Sequence, residues 1–137
     1  MKFEFFDHTA DLGATIHAGT AEELFQNAAA ALYEAMGRFA LKPERTTQFL
    51  KLRSGSMEEL LVEFVSELLF QFDAHRLVFD QIEMQELNAN FLAAKLTGAQ
   101  VDLAHSEPNY EIKAVTYHGA KIERSDGGWK ATLIFDV

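Results

Sequence analysis

Two carboxylates adjoin at the last two positions of the sequence, the side chain of Asp136 and the terminal carboxylate of Val137. Residues 129–137, rich in Thr, Leu, Ile, Phe and Val, read as a strand, so this end should be tied into a sheet rather than loose. Two anions held that close repel unless a cation, a positive side chain or a proton offsets them. An oxygen-only site for a hard divalent metal is one such solution, and it needs further oxygen donors from elsewhere. Asp11 is the candidate donor. It lies in Asp7-His8-Thr9-Ala10-Asp11, a polar segment between the apolar run of Phe3, Phe5 and Phe6 and the run of residues 14–18, a strand–loop–strand pattern. The ordinary role for Asp and Thr in a short loop is an Asx-turn on backbone amides, and that alternative stands beside the metal reading.

Lys113 and His118 sit in Lys-Ala-Val-Thr-Tyr-His, which reads as strand. Period two puts Lys113, Val115 and Tyr117 on one face and Ala114, Thr116 and His118 on the other. Lys113 could pair with the carboxylates or reach a partner's anion, although a solvated edge position is commonplace for lysine. His118 could contact a metal, or satisfy only a local hydrogen bond. The five histidines, at 8, 17, 75, 105 and 118, lack close metal-ligand spacing, and the chain has no phosphate-cradling glycine loop, nucleophile elbow or His-x-x-x-His motif.

The elements that must position these residues follow from capping and periodicity. Thr20-Ala-Glu-Glu23 and Ser56-Met-Glu-Glu59 have capping-box spacing, each ahead of an apolar stripe at helical intervals, with Gly37 as a stop for the first. Both helices should cover a sheet. Residues 45–53, 77–84, 90–97, 111–122 and 129–137 read as strands, with a turn near residues 85–89 and a hairpin turn at residues 125–128. Residues 102–109, polar and without periodicity, read as an exposed loop. The expected fold is α+β: a mostly antiparallel sheet covered by two amphipathic helices, in one domain spanning residues 1–137.

Composition narrows the function. The 137 residues are 48% hydrophobic, include twelve Phe and no Cys, and carry a formal charge of −9. These values suit a folded domain, exclude thiol and disulfide chemistry, and disfavour direct binding of nucleic acid. No signal peptide or membrane-length apolar run is visible, so a cytoplasmic protein without a membrane role is expected.

Taken in order, Asp7-His8-Thr9-Ala10-Asp11, the helix from Glu22 through Ala31-Leu32, Glu67-Leu68-Leu69, the block Glu111 to His118, and Ile134-Phe135-Asp136-Val137 resemble the archease family over essentially the whole chain. That resemblance implies a non-catalytic accessory protein for the tRNA-splicing RNA ligase, one that promotes guanylylation of the ligase and its multiple turnover. It also implies a divalent cation, calcium, on Asp11, Asp136 and Val137, with Lys113 acting on the ligase. Asp7 and His8 are not carried over as ligands. Two other readings are a stand-alone metal-dependent phosphoester hydrolase, which lacks an evident base, and a general chaperone or interaction module.

Overall fold

The Thr20 hydroxyl accepts the Glu23 N–H, and the Ser56 hydroxyl accepts the Glu59 N–H, each at 3.1 Å. These caps satisfy donors that a helix start leaves orphaned, and they open α1 (Ala21–Met36) and α2 (Met57–His75) where capping-box spacing places them. Helix α2 ends at Arg76, whose left-handed backbone returns its N–H to the Phe72 carbonyl. Around the helices, the computed structural model, which describes residues 2–137, arranges seven strands: β1 (Phe3–His8), β2 (Asp11–Ala18), β3 (Gly37–Arg53), β4 (Leu77–Leu87), β5 (Phe91–Pro108), β6 (Ala114–Ser125) and β7 (Gly128–Asp136).

All strand pairs are antiparallel, and the α+β expectation holds. The strands divide into two sheets, of order β1-β2-β7-β6 and β3-β5-β4, rather than forming a single one. Both helices touch strands of each sheet, so the core fills the space that the helices share with the two sheets. Leu24, Phe25, Leu32, Leu60, Phe64, Leu68, Leu133 and Phe135 have no accessible surface there. Each such side chain stabilises the fold by about 1.5–3 kcal/mol. The rings of Phe25 and Phe64 hold the helices together at 5.7 Å between centroids. Asn27 is the buried polar side chain among the described residues, and its amide donates to the His17 carbonyl at 2.7 Å, tying α1 to β2.

Residues 102–109 are not a loop. They extend β5 to Pro108 and pair with the start of β3, Gly37 opposite Pro108 and Ala40 opposite Asp102. The Ser106 hydroxyl donates to the Asp102 carbonyl at 2.7 Å, a local bond inside this irregular stretch. Strand β3 begins with no gap after α1: Gly37 adopts φ 149°, and a Cβ there would lie 2.5 Å from the Glu107 carbonyl oxygen. Glycine is therefore required where the helix turns into the sheet.

Candidate metal and partner site

The hairpin joining β1 to β2 is as tight as an antiparallel pair allows: His8 pairs with Asp11, and Thr9 takes φ 52° in the two-residue turn. Asp11 is thus the first residue of β2, not a mid-loop residue. Strand β2 then runs against β7 with Leu12 opposite Phe135 and Gly13 opposite Ile134. The ladder ends at Leu12–Phe135, and Asp11 and Asp136 are the next residue beyond that pair on each strand. On the far side of β7, Asp136 pairs with Ala114 and Phe135 with Val115. His8, Asp11, Asp136 and Ala114 therefore share one row across all four strands.

Alternation fixes which way that row faces. Leu12, Ala14, Ile16, Ala131, Leu133 and Phe135 are buried toward the helices, so the intervening Asp11 and Asp136 belong to the opposite face, where both are partly exposed. An apolar floor adjoins them. Phe6, two pairs along from His8, lays its ring across Gly13, so closely that a Cβ at that glycine would run into the ring. Ile134 in the same row is only 3% exposed, with Gly119 against its side chain.

Lys113 precedes β6 rather than lying within it. Its backbone N–H donates to the Asp136 carbonyl at 2.7 Å and so extends the ladder by one bond, while its side chain is exposed. Tyr117 and His118 lie in an irregularity: between the pairs Thr116–Ile134 and Lys121–Thr132, β6 carries four residues against one on β7. The period-two face assignment made for Tyr117 and His118 therefore fails, because the bulge interrupts alternation. Both residues are exposed, and the Thr116 hydroxyl closes the bulge by donating to the His118 carbonyl at 2.9 Å. The slight desolvation of its hydroxyl, then the nearby Glu63 and Glu59 carboxylates, hold the Tyr117 phenol above its ordinary pKa although the side chain as a whole is exposed.

The profile of the Archease protein family (MTH1598/TM1083) matches residues 3–137. The chain belongs to the archease family. It is 33% identical to the protein archease of Methanosarcina mazei, over 99% of this chain and 96% of that one, and 33% identical to that of Pyrococcus furiosus, over 99% of each. Among solved structures, protein 1598 of Methanobacterium thermoautotrophicum superposes with a TM-score of 0.77 at 30% identity, covering 99% of both chains. A crystal structure from Thermotoga maritima, described as an archease and possible chaperone, superposes at 0.72 with 26% identity, covering 96% of this chain and 94% of that one. The α+β architecture is that of these family members.

Of the residues singled out in the sequence, the sheet brings Asp11, Asp136, Val137 and Lys113 to one end. Their side chains are not gathered on a point. Among the described residues, no three His, Cys, Asp or Glu side chains converge in a way that could hold a metal ion. His8 is the residue sequence reasoning passed over. Its Nδ1 is 3.7 Å from the Asp11 carboxylate, inaccessible to water and without a hydrogen-bond partner. The two-residue spacing between His8 and Asp11 was the available signal, since a tight hairpin makes such residues cross-strand neighbours. No described helix is long and apolar enough to cross a membrane. A cleft of about 440 Å³ lies at the opposite end of this sheet beside Gly127 and Gly128 and touches none of these residues.

Proposed function

We propose that this protein is a non-catalytic helper of the tRNA-splicing RNA ligase, promoting its guanylylation and multiple turnover, with a divalent cation, calcium, held by Asp11, Asp136 and the Val137 carboxylate. The observation that supports the reading is the register: the β2–β7 ladder ends at the pair Leu12–Phe135, so the two aspartates of the proposed ligand set are the next residue on each strand, in a chain of the archease family. The donor chemistry suits a hard cation, being oxygen throughout, and the unpartnered His8 Nδ1 beside Asp11 is consistent with a local arrangement that changes on binding. Three protein groups fall short of the six to eight oxygens calcium takes, so water or partner groups complete the shell and affinity is modest.

Held by Asp11, Asp136 and the Val137 carboxylate, a cation would neutralise these anions and supply a Lewis-acidic contact for a partner's oxygens. The chain's own contribution is positional. The hydrogen bond from the Lys113 N–H to the Asp136 carbonyl fixes the approach of the 113 side chain, whose ammonium reaches solvent at the end where the ligase would dock. The protein acts by biasing the ligase toward the conformation that accepts guanylate. The description of the Thermotoga relative as a possible chaperone agrees with action on a protein partner rather than on a small substrate.

The deciding experiment measures ligase turnover with guanosine triphosphate and metal, with and without this protein and its Asp136→Ala form. Stimulation lost with Asp136→Ala supports the assignment. No stimulation by the unaltered protein would remove the ligase role, and equal stimulation by both would remove the metal site from it.

A further inference from the structure

An open cleft of about 410 Å³ lies between β1, the C-terminal turn of α1 and the segment that follows β5, next to the row that holds Asp11. Its walls include Phe5, Asp7, Leu12, Glu34, Asn109 and Tyr110. Three independent features give it negative character. Helix α1 ends here, its Ala35 and Met36 carbonyls accepting the N–H groups of Tyr110 and Asn109. A helix C-terminus carries partial negative charge, yet the last turn of α1 has no basic residue and holds Glu34 instead. Asp7 faces the same space, and among the described residues neither Asp7 nor Glu34 is in an ion pair. The third feature is aromatic: Phe5 is 37% exposed and Tyr110 43%, large rings left uncovered at the rim.

Carboxylates, a helix C-terminus and ring faces all favour the same chemistry, a planar cation with apolar faces. An ammonium point charge uses the carboxylates but not the flat walls as well. We propose that this cleft receives an arginine side chain carried on a basic segment of a protein partner. The guanidinium lies against Phe5 or Tyr110 and donates to Asp7 and Glu34. This rests on the reading above in placing a protein partner at this end: Leu12 lines the cleft from the helix-covered face and Asp11 lies on the opposite face, so a partner engages both only by wrapping around the β1–β2 hairpin. The net charge of −9 aids the approach of such a segment.

The test has two arms. In the first, the ¹⁵N-labelled protein is titrated with the peptide acetyl-Ala-Arg-Ala-Ala-Arg-Ala-amide and with the same peptide carrying citrulline, the neutral isostere of arginine. The arginine peptide should shift the amides of residues 35, 109 and 110, the citrulline peptide should not, and the Asp7→Asn, Glu34→Gln double variant should bind about tenfold more weakly. Equal binding of citrulline, or shifts unchanged in the double variant, would overturn the cleft's assignment. That variant should melt no lower than the parent, because Glu34 opposes the helix dipole, so loss of binding is not loss of fold. The second arm compares ligase affinity for the parent and the double variant. A fall supports the cleft, and unchanged affinity overturns its part in docking. Failure of the parent to bind ligase at all counts against the ligase reading, while the peptide arm still decides the cleft.

Discussion

The backbone N–H of Lys113 donates to the Asp136 carbonyl at 2.7 Å, so a residue just outside β6 is fastened to the residue that ends β7. The role of Lys113 thereby divides into a backbone part and a side-chain part. Lys113→Ala keeps the hydrogen bond and should change stability by less than about 0.5 kcal/mol, whereas Lys113→Pro removes the donor and should cost about 1 kcal/mol or more. Ligase stimulation that falls in the alanine variant at unchanged denaturant midpoint identifies the ammonium as the acting group.

Opposed aspartates leave a mark on stability even without a partner. In metal-free buffer, Asp11→Asn and Asp136→Asn should melt at or slightly above the parent, since each relieves repulsion. Calcium should then raise the melting temperature of the parent and of neither variant, by mass action on the folded state. Calorimetric scans with a chelator and then with millimolar calcium read both effects.

The Val137 carboxylate can be removed without touching a side chain. Appending Gly-Ser after Val137 turns it into a neutral amide linkage and should weaken calcium binding about tenfold or more, with little change in the denaturant midpoint. Unaltered calcium affinity in a titration would exclude Val137 from the ligand set.

Gly13 and Phe6 form a fitted pair. Gly13→Ala should cost about 1–3 kcal/mol, because the new methyl meets the Phe6 ring, which must swing off the sheet to admit it. Combining it with Phe6→Leu should recover part of the loss, and a double-mutant cycle in urea measures the coupling.

Tyr33 sets an alkaline limit. Its hydroxyl accepts the Phe79 N–H at 3.1 Å, and burial, reinforced by Asp80 against the opposing hydrogen bond, raises its pKa well above the ordinary 10.0. The folded state thus keeps a proton that the unfolded state releases, so this contribution is complete below pH 10 and falls as pH rises beyond it. Tyr33→Phe should lose about 0.5–1.5 kcal/mol at pH 8 and show a shallower decline from pH 10 to 11, read by urea unfolding at each pH.

The helices and the site strands were legible because their signals are local. Capping boxes at Thr20 and Ser56 and the alternation in residues 129–137 act within a few residues, and each appears where its pattern places it. The 102–109 segment was not legible. Its strand character comes from Gly37, Arg38 and Ala40, over sixty residues away in sequence, and from bulges that erase period two. The same limit applies at Tyr117 and His118, where four residues of β6 face one of β7. The meeting of Asp11 with the β7 end could be anticipated from charge, but the nearness of His8 depends on the two-residue turn. The division into two sheets depends on which strands each helix covers, which periodicity does not encode.

The placement of β7 carries a consequence for biosynthesis. Of the seven strands, β7 is the last in sequence yet an interior one, flanked by β2 and β6, so the β1–β2 hairpin must wait with one edge unpaired until more than a hundred further residues have emerged. Asp11 meets its counterpart only at that final insertion. Until β7 has inserted there is neither the acidic row nor a continuous four-stranded sheet, and whatever this end recognises is engaged only after that step.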